Sequence, residues 1–353
     1  MQKRKTIAVL FGGNSTEYSV SLESAGAVLR AIDANKYDVL PVGITRNGKW
    51  YLYKGDYQKI EDNTWFTDPS FVSPLYFSMD PFHPGLFTTD AADRIVSPLP
   101  MDFVFPVLHG KNGEDGTVQG MFELAGIPVI GCGMLSSALC MDKDRAHKLV
   151  SRAGIRTPKS VTFRKSELAE SLSEIRKSLS YPLFVKPVRS GSSIGISHVR
   201  KADELVDAIQ AAFRYDSEVI VEEEIRGREV GCAVMGSDEL IIGRVDEIEL
   251  SSGFFNFHEK YTLETSEIHM PARIDKDTES RIRKTAGEIY RLLGCSGFAR
   301  VDMFLSDRNE LFFNEVNTIP GMTAHSRFPG MMKGIGLSFA DVVGRIIEIH
   351  ERL

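Results

Sequence analysis

Two β-type runs, Arg300-Val-Asp302 and Glu315-Val-Asn317, flank the turn Ser306-Asp-Arg-Asn-Glu310, and they constrain the fold more than anything else in the chain. Side chains alternate along a strand, so Arg300 shares a face with Asp302, and Glu315 with Asn317. The short connection makes the runs hairpin partners. Whether Asp302 stands opposite Glu315 or one residue off is open, because a slip of one residue moves every side chain to the other face. An inward acid pair is costly unless something compensates it. Two carboxylates and an amide oxygen are hard ligands suited to Mg²⁺, which usually completes its shell with waters and phosphate oxygens. Alone, an E-x-N of this kind is more often a solvated hairpin face, so the rest of the chain has to decide.

A phosphate-binding element would supply the missing company. Val185-Lys-Pro-Val-Arg-Ser-Gly-Ser-Ser-Ile-Gly195 offers a lysine followed by a small-residue turn whose amides could wrap a phosphate. It is not a Walker A loop, because here the lysine precedes the glycines and a strand follows. Gly191-Ser-Ser-Ile-Gly195 also matches a hydrolase elbow with Ser193 as nucleophile, but that elbow leads into a helix. Lys186 lies within a valine-rich strand, and lysine is seldom buried unpaired, which argues against a plain hairpin turn. A second lysine, Lys143, reads as the middle of a helix over residues 136–153, where by itself it would be an ordinary solvated charge. The strand Val219-Ile-Val-Glu-Glu-Glu-Ile225 leads to Gly227-Arg-Glu229, a junction that could give backbone partners to an adenine and a carboxylate to a ribose.

Other chemistries fit poorly. Gly131-Cys-Gly-Met-Leu-Ser136 has serine where a dinucleotide fingerprint needs its third glycine. His83, His147, His198, His269 and His350 show no zinc-ligand spacing and read as packing or surface residues. Cys132, Cys140, Cys232 and Cys295 form neither a metal knuckle nor a disulfide framework and read as reduced, mostly buried thiols. With 42 Lys plus Arg against 48 Asp plus Glu, the net charge is −6, so no overall footprint for nucleic acid exists. No apolar run approaches a membrane span. The basic start at residues 1–5 precedes an apolar run too short for a signal peptide, which points to a cytoplasmic protein.

The 353 residues are enough for two or three domains. Residues 6–11 read as a buried strand that runs into Gly12-Gly13, and helical spacing follows from Val20 to Ile32. That is the start of an open α/β sheet. Residues 54–100 have no clear period and read as an irregular excursion before buried strands resume at 101–108, with a further strand at 127–130.

Taken together, Gly12-Gly-Asn-Ser-Thr-Glu-Tyr-Ser-Val-Ser-Leu22, Leu108-His-Gly-Lys-Asn-Gly-Glu-Asp-Gly116, Lys186 with Gly191 to Gly195, Arg300-Val-Asp302 and Asn314-Glu-Val-Asn-Thr-Ile-Pro-Gly321 resemble the D-alanine-D-alanine ligase family over nearly the whole chain. The resemblance implies an α/β ATP-grasp fold of three domains. These are an open, Rossmann-like substrate domain at 1–142, a central lid domain at 143–222 and a catalytic domain at 223–353. It implies a two-step ligation in which ATP phosphorylates a first D-alanine and the amine of a second D-amino acid attacks the acyl phosphate. By the same resemblance Lys143, Lys186, Ser193, Glu222, Glu223, Ile225 and Glu229 hold ATP, and Asp302, Glu315 and Asn317 hold two Mg²⁺ or Mn²⁺ ions. Glu17 would anchor the first substrate's ammonium and be linked to Ser192 and Tyr261. Arg300 and the N–H of Gly321 would await the oxyanion, an arrangement worth about 3 to 4 kcal/mol per donor. Lys260 and Ser326 would hold the second substrate's carboxylate, with His109 and Glu114 at the substrate end of the first domain. A homodimer and a role in peptidoglycan precursor synthesis go with the family.

One departure bears on specificity. Ser326 is followed by Arg327, where strict D-Ala-D-Ala ligases typically have leucine. Up to five donors replace an apolar wall, and such a wall suits a hydroxyl. The serine-type vancomycin-resistance ligases look similar here and share an aromatic-rich loop like Ser251-Ser-Gly-Phe-Phe255, so the expected second substrate is D-serine, with a housekeeping D-Ala-D-Ala ligase as the alternative. Two more distant readings are a nucleotide-binding module without turnover and the Ser193 hydrolase.

Overall fold

The computed structural model describes residues 4–80, 82–90, 94–250 and 266–352. Strand β1 (Lys5–Gly12) is apolar without alternation, as suits a strand covered on both faces, and Ile7 to Phe11 are fully buried. Helix α1 (Tyr18–Ala31) crosses over to β2 (Tyr37–Ile44), which pairs with β1 in parallel. Gly12 is required where the two meet. Its φ is +88°, and a Cβ there would lie 2.2 Å from the Ile44 carbonyl oxygen.

The segment at 54–100 is a correction. After β3 (Trp50–Tyr53) and the short α2 (Gln58–Glu61), it forms β4 (Val72–Ser78), β5 (Gly85–Thr89) and β6 (Ile95–Pro98). These extend the first sheet antiparallel, in the order β6-β5-β4-β3-β2-β1-β7, where β7 is Phe103–Pro106. They escaped the sequence reading because β6 is exposed along its length and β4 is mostly half-buried, which leaves no burial period to detect. The strand expected at 127–130 shrinks to a single bridge between Val104 and Val129.

Helix α3 (Thr117–Leu124) follows, and then a second correction. Residues 136–153 are two helices, α4 (Met134–Met141) and α5 (Lys143–Arg152). Asp142 breaks the run by adopting an extended conformation and capping α5, its Oδ1 accepting from the Arg145 N–H at 2.9 Å. Lys143 therefore opens a helix rather than sitting in its middle. Ala146 and Val150 of α5 pack into the carboxyl-terminal core.

The second sheet, β10-β9-β11-β8, is antiparallel. It is built from β8 (Ser160–Arg164), β9 (Leu183–Pro187), β10 (Ser197–Val199) and β11 (Glu218–Glu223), with α6 (Leu168–Ser178) and α7 (Leu205–Ala212) closing its core. The third sheet, β14-β13-β12-β15-β16, comprises β12 (Gly227–Gly236), β13 (Leu240–Leu250), β14 (Ser266–His269), β15 (Gly297–Ser306) and β16 (Leu311–Asn317). Helices α8 (Lys276–Leu292), α9 (Arg327–Lys333) and α10 (Phe339–Glu351) complete it.

One core joins the first and third units. Phe105 of β7 meets Phe298 of β15 at 6.0 Å, and Phe298 meets Phe328 of α9 at 5.7 Å. Each of the three rings is fully buried, and such burial contributes about 1.5–3 kcal/mol per side chain. The four cysteines are free and buried. Among the described residues no helix is long and apolar enough to cross a membrane.

Candidate active site

The β15–β16 ladder sets Asp302 opposite Glu315 and Arg300 opposite Asn317, the register left open by the sequence. A bulge follows between Asp302 and Met303, and bulges re-aim side chains beside functional sites. Asp302 is 1% exposed. Arg300 chelates it through Nη2 at 2.7 Å and Nε at 2.9 Å, and Asn317 Nδ2 donates to it at 2.9 Å. Glu315 faces Lys143, whose Nζ lies 3.3 Å from its carboxylate and donates to the Ser190 carbonyl at 2.8 Å. Two carboxylates and an amide thus converge beside a lysine, a donor set that fits a hard divalent cation rather than a soft one.

Arg327 requires a correction. Its guanidinium does not offer five uncommitted donors to a substrate. Nε and Nη2 bind the two oxygens of Asp246 at 2.7 and 2.8 Å, Nη2 lies 3.4 Å from Asp302, and Nη1 lies 3.7 Å from Glu229. Burial alone would lower its pKa, but Asp246 and Asp302 outweigh that and raise it. Gly231 makes the room: a Cβ there would come within 2.3 Å of Arg327 Nη2 and 2.7 Å of Asp246 Oδ1. Asp246, fully buried on β13, was missed from the sequence. The available signal was an acid opposite a glycine, Asp246 to Gly231, but only the register reveals that pairing.

Behind the lid turn, Lys186 donates to Glu222 at 2.5 Å, and both are buried. Burial would raise the Glu222 carboxyl, but Lys186, with His147 and Lys143 beyond it, holds it below its usual range. His147 is itself pushed down by burial. Glu222 Oε1 and His147 Nδ1, 3.6 Å apart, are buried and lack hydrogen-bond partners, as expected where a ligand's polar atoms belong. The two unpaired atoms beside the Lys186 ammonium are polar chemistry that a nucleotide's groups would meet. Glu223 instead turns its carboxylate to the Lys159 N–H at 2.9 Å, and Ile225 is half-buried between β11 and β12.

The lid turn itself is strained. Ser192 and Ser193 have φ of +49° and +57°, conformations costly for any residue but glycine. That geometry lets the Ser192 hydroxyl donate to Glu17, which stands just before α1. Gly191 also packs on that carboxylate, since a Cβ there would lie 3.0 Å from Glu17 Oε2. Between the turn at 14–17 and the lid turn opens a cleft of about 910 Å³, bordered by Ser15, Glu17, Arg46, Arg189 and Gly191. His109 and Glu114 are buried behind it. Burial, then the nearby Glu17 carboxylate, pushes Glu114 up to about 8. Ser326 accepts the Thr323 N–H at 3.1 Å, and Gly321 packs so closely that a Cβ would lie 3.0 Å from the Ser326 hydroxyl.

Lys260, Tyr261 and the aromatic loop at 251–255 lie outside the described residues. His269, read as lacking ligand spacing, meets Glu249 and Glu267 across β13 and β14, although Arg273 already pairs with Glu249 at 2.8 Å.

The family model described as "D-ala D-ala ligase N-terminus" matches residues 6–132, and "D-ala D-ala ligase C-terminus" matches residues 149–348. A "D-alanine--D-alanine ligase" of Caldicellulosiruptor bescii is 43% identical, covering 97% of this chain and 94% of its own. "Vancomycin C-type resistance protein VanC1" of Enterococcus gallinarum is 42% identical over 98% of each. Among solved structures, the "VanG D-Ala:D-Ser Ligase from Enterococcus faecalis" superposes with a TM-score of 0.92 at 60% identity, covering 99% of this chain and 100% of that one. The mixed α/β architecture of three sheets matches these ATP-grasp ligases.

Proposed function

The chain belongs to the D-alanine-D-alanine ligase family, and from that premise we propose that it joins D-alanine to a second D-amino acid, preferring D-serine, through a D-alanyl phosphate. The observation that carries the reading is one continuous set of contacts. Glu17 meets Ser192 in the lid turn, Ser190 meets Lys143, Lys143 meets Glu315, and Glu315 stands opposite Asp302. The proposed ammonium anchor and the proposed phosphate-neutralising centre are thereby joined through the lid turn.

The first D-alanine sits with its ammonium toward Glu17 and its carboxylate toward the lysines. Phosphoryl transfer is governed by positioning and charge neutralisation, and Lys143 and Lys186 supply positive charge at the γ-phosphate. Mg²⁺ or Mn²⁺ held by Asp302, Glu315 and Asn317 adds neutralisation of the phosphate oxygens when bound. A carboxylate oxygen of D-alanine takes the phosphoryl group and ADP leaves. The second amine then attacks the acyl carbon. Arg300, oriented by Asp302, and the Gly321 N–H stabilise the oxyanion until phosphate departs. The strained lid turn, drawn onto Glu17, keeps water from the acyl phosphate. The family's homodimer and cytoplasmic location go with this reading.

D-serine is favoured by the 60% identity to a protein named for D-Ala:D-Ser ligation, and by arginine at 327 in place of the leucine of strict D-Ala-D-Ala ligases, its donors turned to Asp246. The housekeeping D-Ala-D-Ala reading is kept by the 43% identity to the Caldicellulosiruptor protein. Incubation with ATP, Mg²⁺, D-alanine and an equal amount of D-serine, followed by mass analysis, separates them. The expected chief product is D-Ala-D-Ser, shifted toward D-Ala-D-Ala by Arg327→Leu. Chiefly D-Ala-D-Ala from the native enzyme would establish the housekeeping reading, and no dipeptide would reject the ligase.

A further inference from the structure

The loop that carries Gly321 is held in place from the other end of the molecule. Ile319 lies within it, and both polar atoms of its backbone bond to side chains of the first unit. The His109 ring bonds the Ile319 carbonyl through Nδ1 at 2.8 Å, and Glu114 Oε1 accepts the Ile319 N–H at 3.2 Å. The other oxygen of Glu114 accepts the Gly110 N–H at 2.7 Å, which fixes the carboxyl itself. Beyond Gly321, the Met322 N–H donates to the hydroxyl of Ser24 at 3.2 Å, and Ser24 lies 3.2 Å from His109 Nε2. Gly321 is therefore bracketed one and two residues away by groups of α1 and the 109–114 turn.

The hydrogen-bond directions close into a circuit. Burial pushes the His109 pKa down, so the ring is neutral and carries one N–H. A carbonyl can only accept, so that proton is on Nδ1 and points at Ile319. Nε2 is then an acceptor and takes the Ser24 hydroxyl proton, leaving the Ser24 oxygen to receive the Met322 N–H. Ser24, fully buried on the same helix that Glu17 precedes, thus joins the substrate anchor to the loop.

We infer that Ser24 is a positioning residue for the ligation. Through Met322 and His109 it fixes the Gly321 N–H at the distance the oxyanion needs. This rests on the ligase reading above and adds a fully buried residue outside the assigned substrate, ATP and metal sets. Its effect is confined to the step in which negative charge develops on the acyl oxygen, because an oxyanion donor acts only when held in advance.

The test compares the native enzyme with Ser24→Ala in dipeptide formation, ATP KM, melting temperature and affinity for a dipeptide phosphinate, whose tetrahedral P–O⁻ stands in for the oxyanion. For Ser24→Ala we expect kcat to fall about ten- to a hundred-fold, the scale of a small misplacement. Phosphinate affinity falls with it, while ATP KM stays near native and melting drops by a few degrees, about what two buried groups left unpaired cost. Ser24→Cys, which keeps a weak donor and acceptor, should recover part of kcat and serves if the alanine variant fails to fold. Native kcat and native phosphinate affinity in Ser24→Ala, or in Ser24→Cys a loss of kcat that leaves phosphinate affinity untouched, would overturn the clamp. A native enzyme that makes no dipeptide would instead overturn the ligase reading, so the two failures are distinct.

Discussion

The two acidic ends of the cleft handle buried charge in opposite ways. At the carboxyl-terminal end, Asp302, Asp246 and Glu315 each meet a cation at salt-bridge distance: Arg300, Arg327 and Lys143. At the amino-terminal end, Glu114 meets backbone N–H groups and the nearby Glu17, and its carboxyl rises to about 8. A carboxylate already paired with a guanidinium or ammonium is held ready for phosphate chemistry. A crowded acid pair is a place where an incoming ammonium gains most, since it relieves repulsion between its hosts. The contrast fits the proposed placement of the phosphoryl group at one end and the amino group of D-alanine at the other.

The comparison breaks first at the paired end. Glu315→Ala removes a proposed metal oxygen and the partner of Lys143, and Lys186→Ala leaves Glu222 buried without its cation. ADP formation should fall at least about a hundredfold in each, the scale of losing one preorganised electrostatic group. Near-native ADP release would mean that the phosphate end is elsewhere.

The crowded end gives a smaller and pH-dependent effect. The Glu114 carboxyl keeps its proton in the folded chain up to about 8, whereas an ordinary glutamate loses it near 4.5. Between those values the folded state holds more protons than the unfolded one, so stability falls as pH rises and levels off above about 8. Denaturant midpoints measured from pH 5 to pH 8 should decline in the native protein and decline less in Glu114→Gln. Equal slopes would show that Glu114 is not the group that resists ionisation.

What the sequence revealed of this site follows the range of its physics. Alternation placed Arg300, Asp302, Glu315 and Asn317 on shared faces because side-chain direction in a strand is local. Their register needed the ladder. Helical periodicity ran through Asp142 because capping depends on a backbone turn that hydrophobic spacing does not register, so Lys143 was misplaced within its helix. Strands β4 and β6 were invisible because they are held by backbone pairing with few buried side chains. Arg327 was found but its direction was not, since Asp246 lies 81 residues away in the chain. Ser24 gave no signal, because a serine on the buried face of a helix looks like any small packing residue until Met322 is seen beside it.

The central claim is that the D-alanine carboxylate is phosphorylated where the two ends meet. It is tested most directly with D-alanine carrying ¹⁸O in both carboxylate oxygens, together with ATP, Mg²⁺ and D-serine. An acyl phosphate sends one carboxylate oxygen out with the leaving phosphate, so the account predicts one ¹⁸O in the phosphate for every dipeptide formed. Dipeptide accompanied by phosphate without label would contradict it.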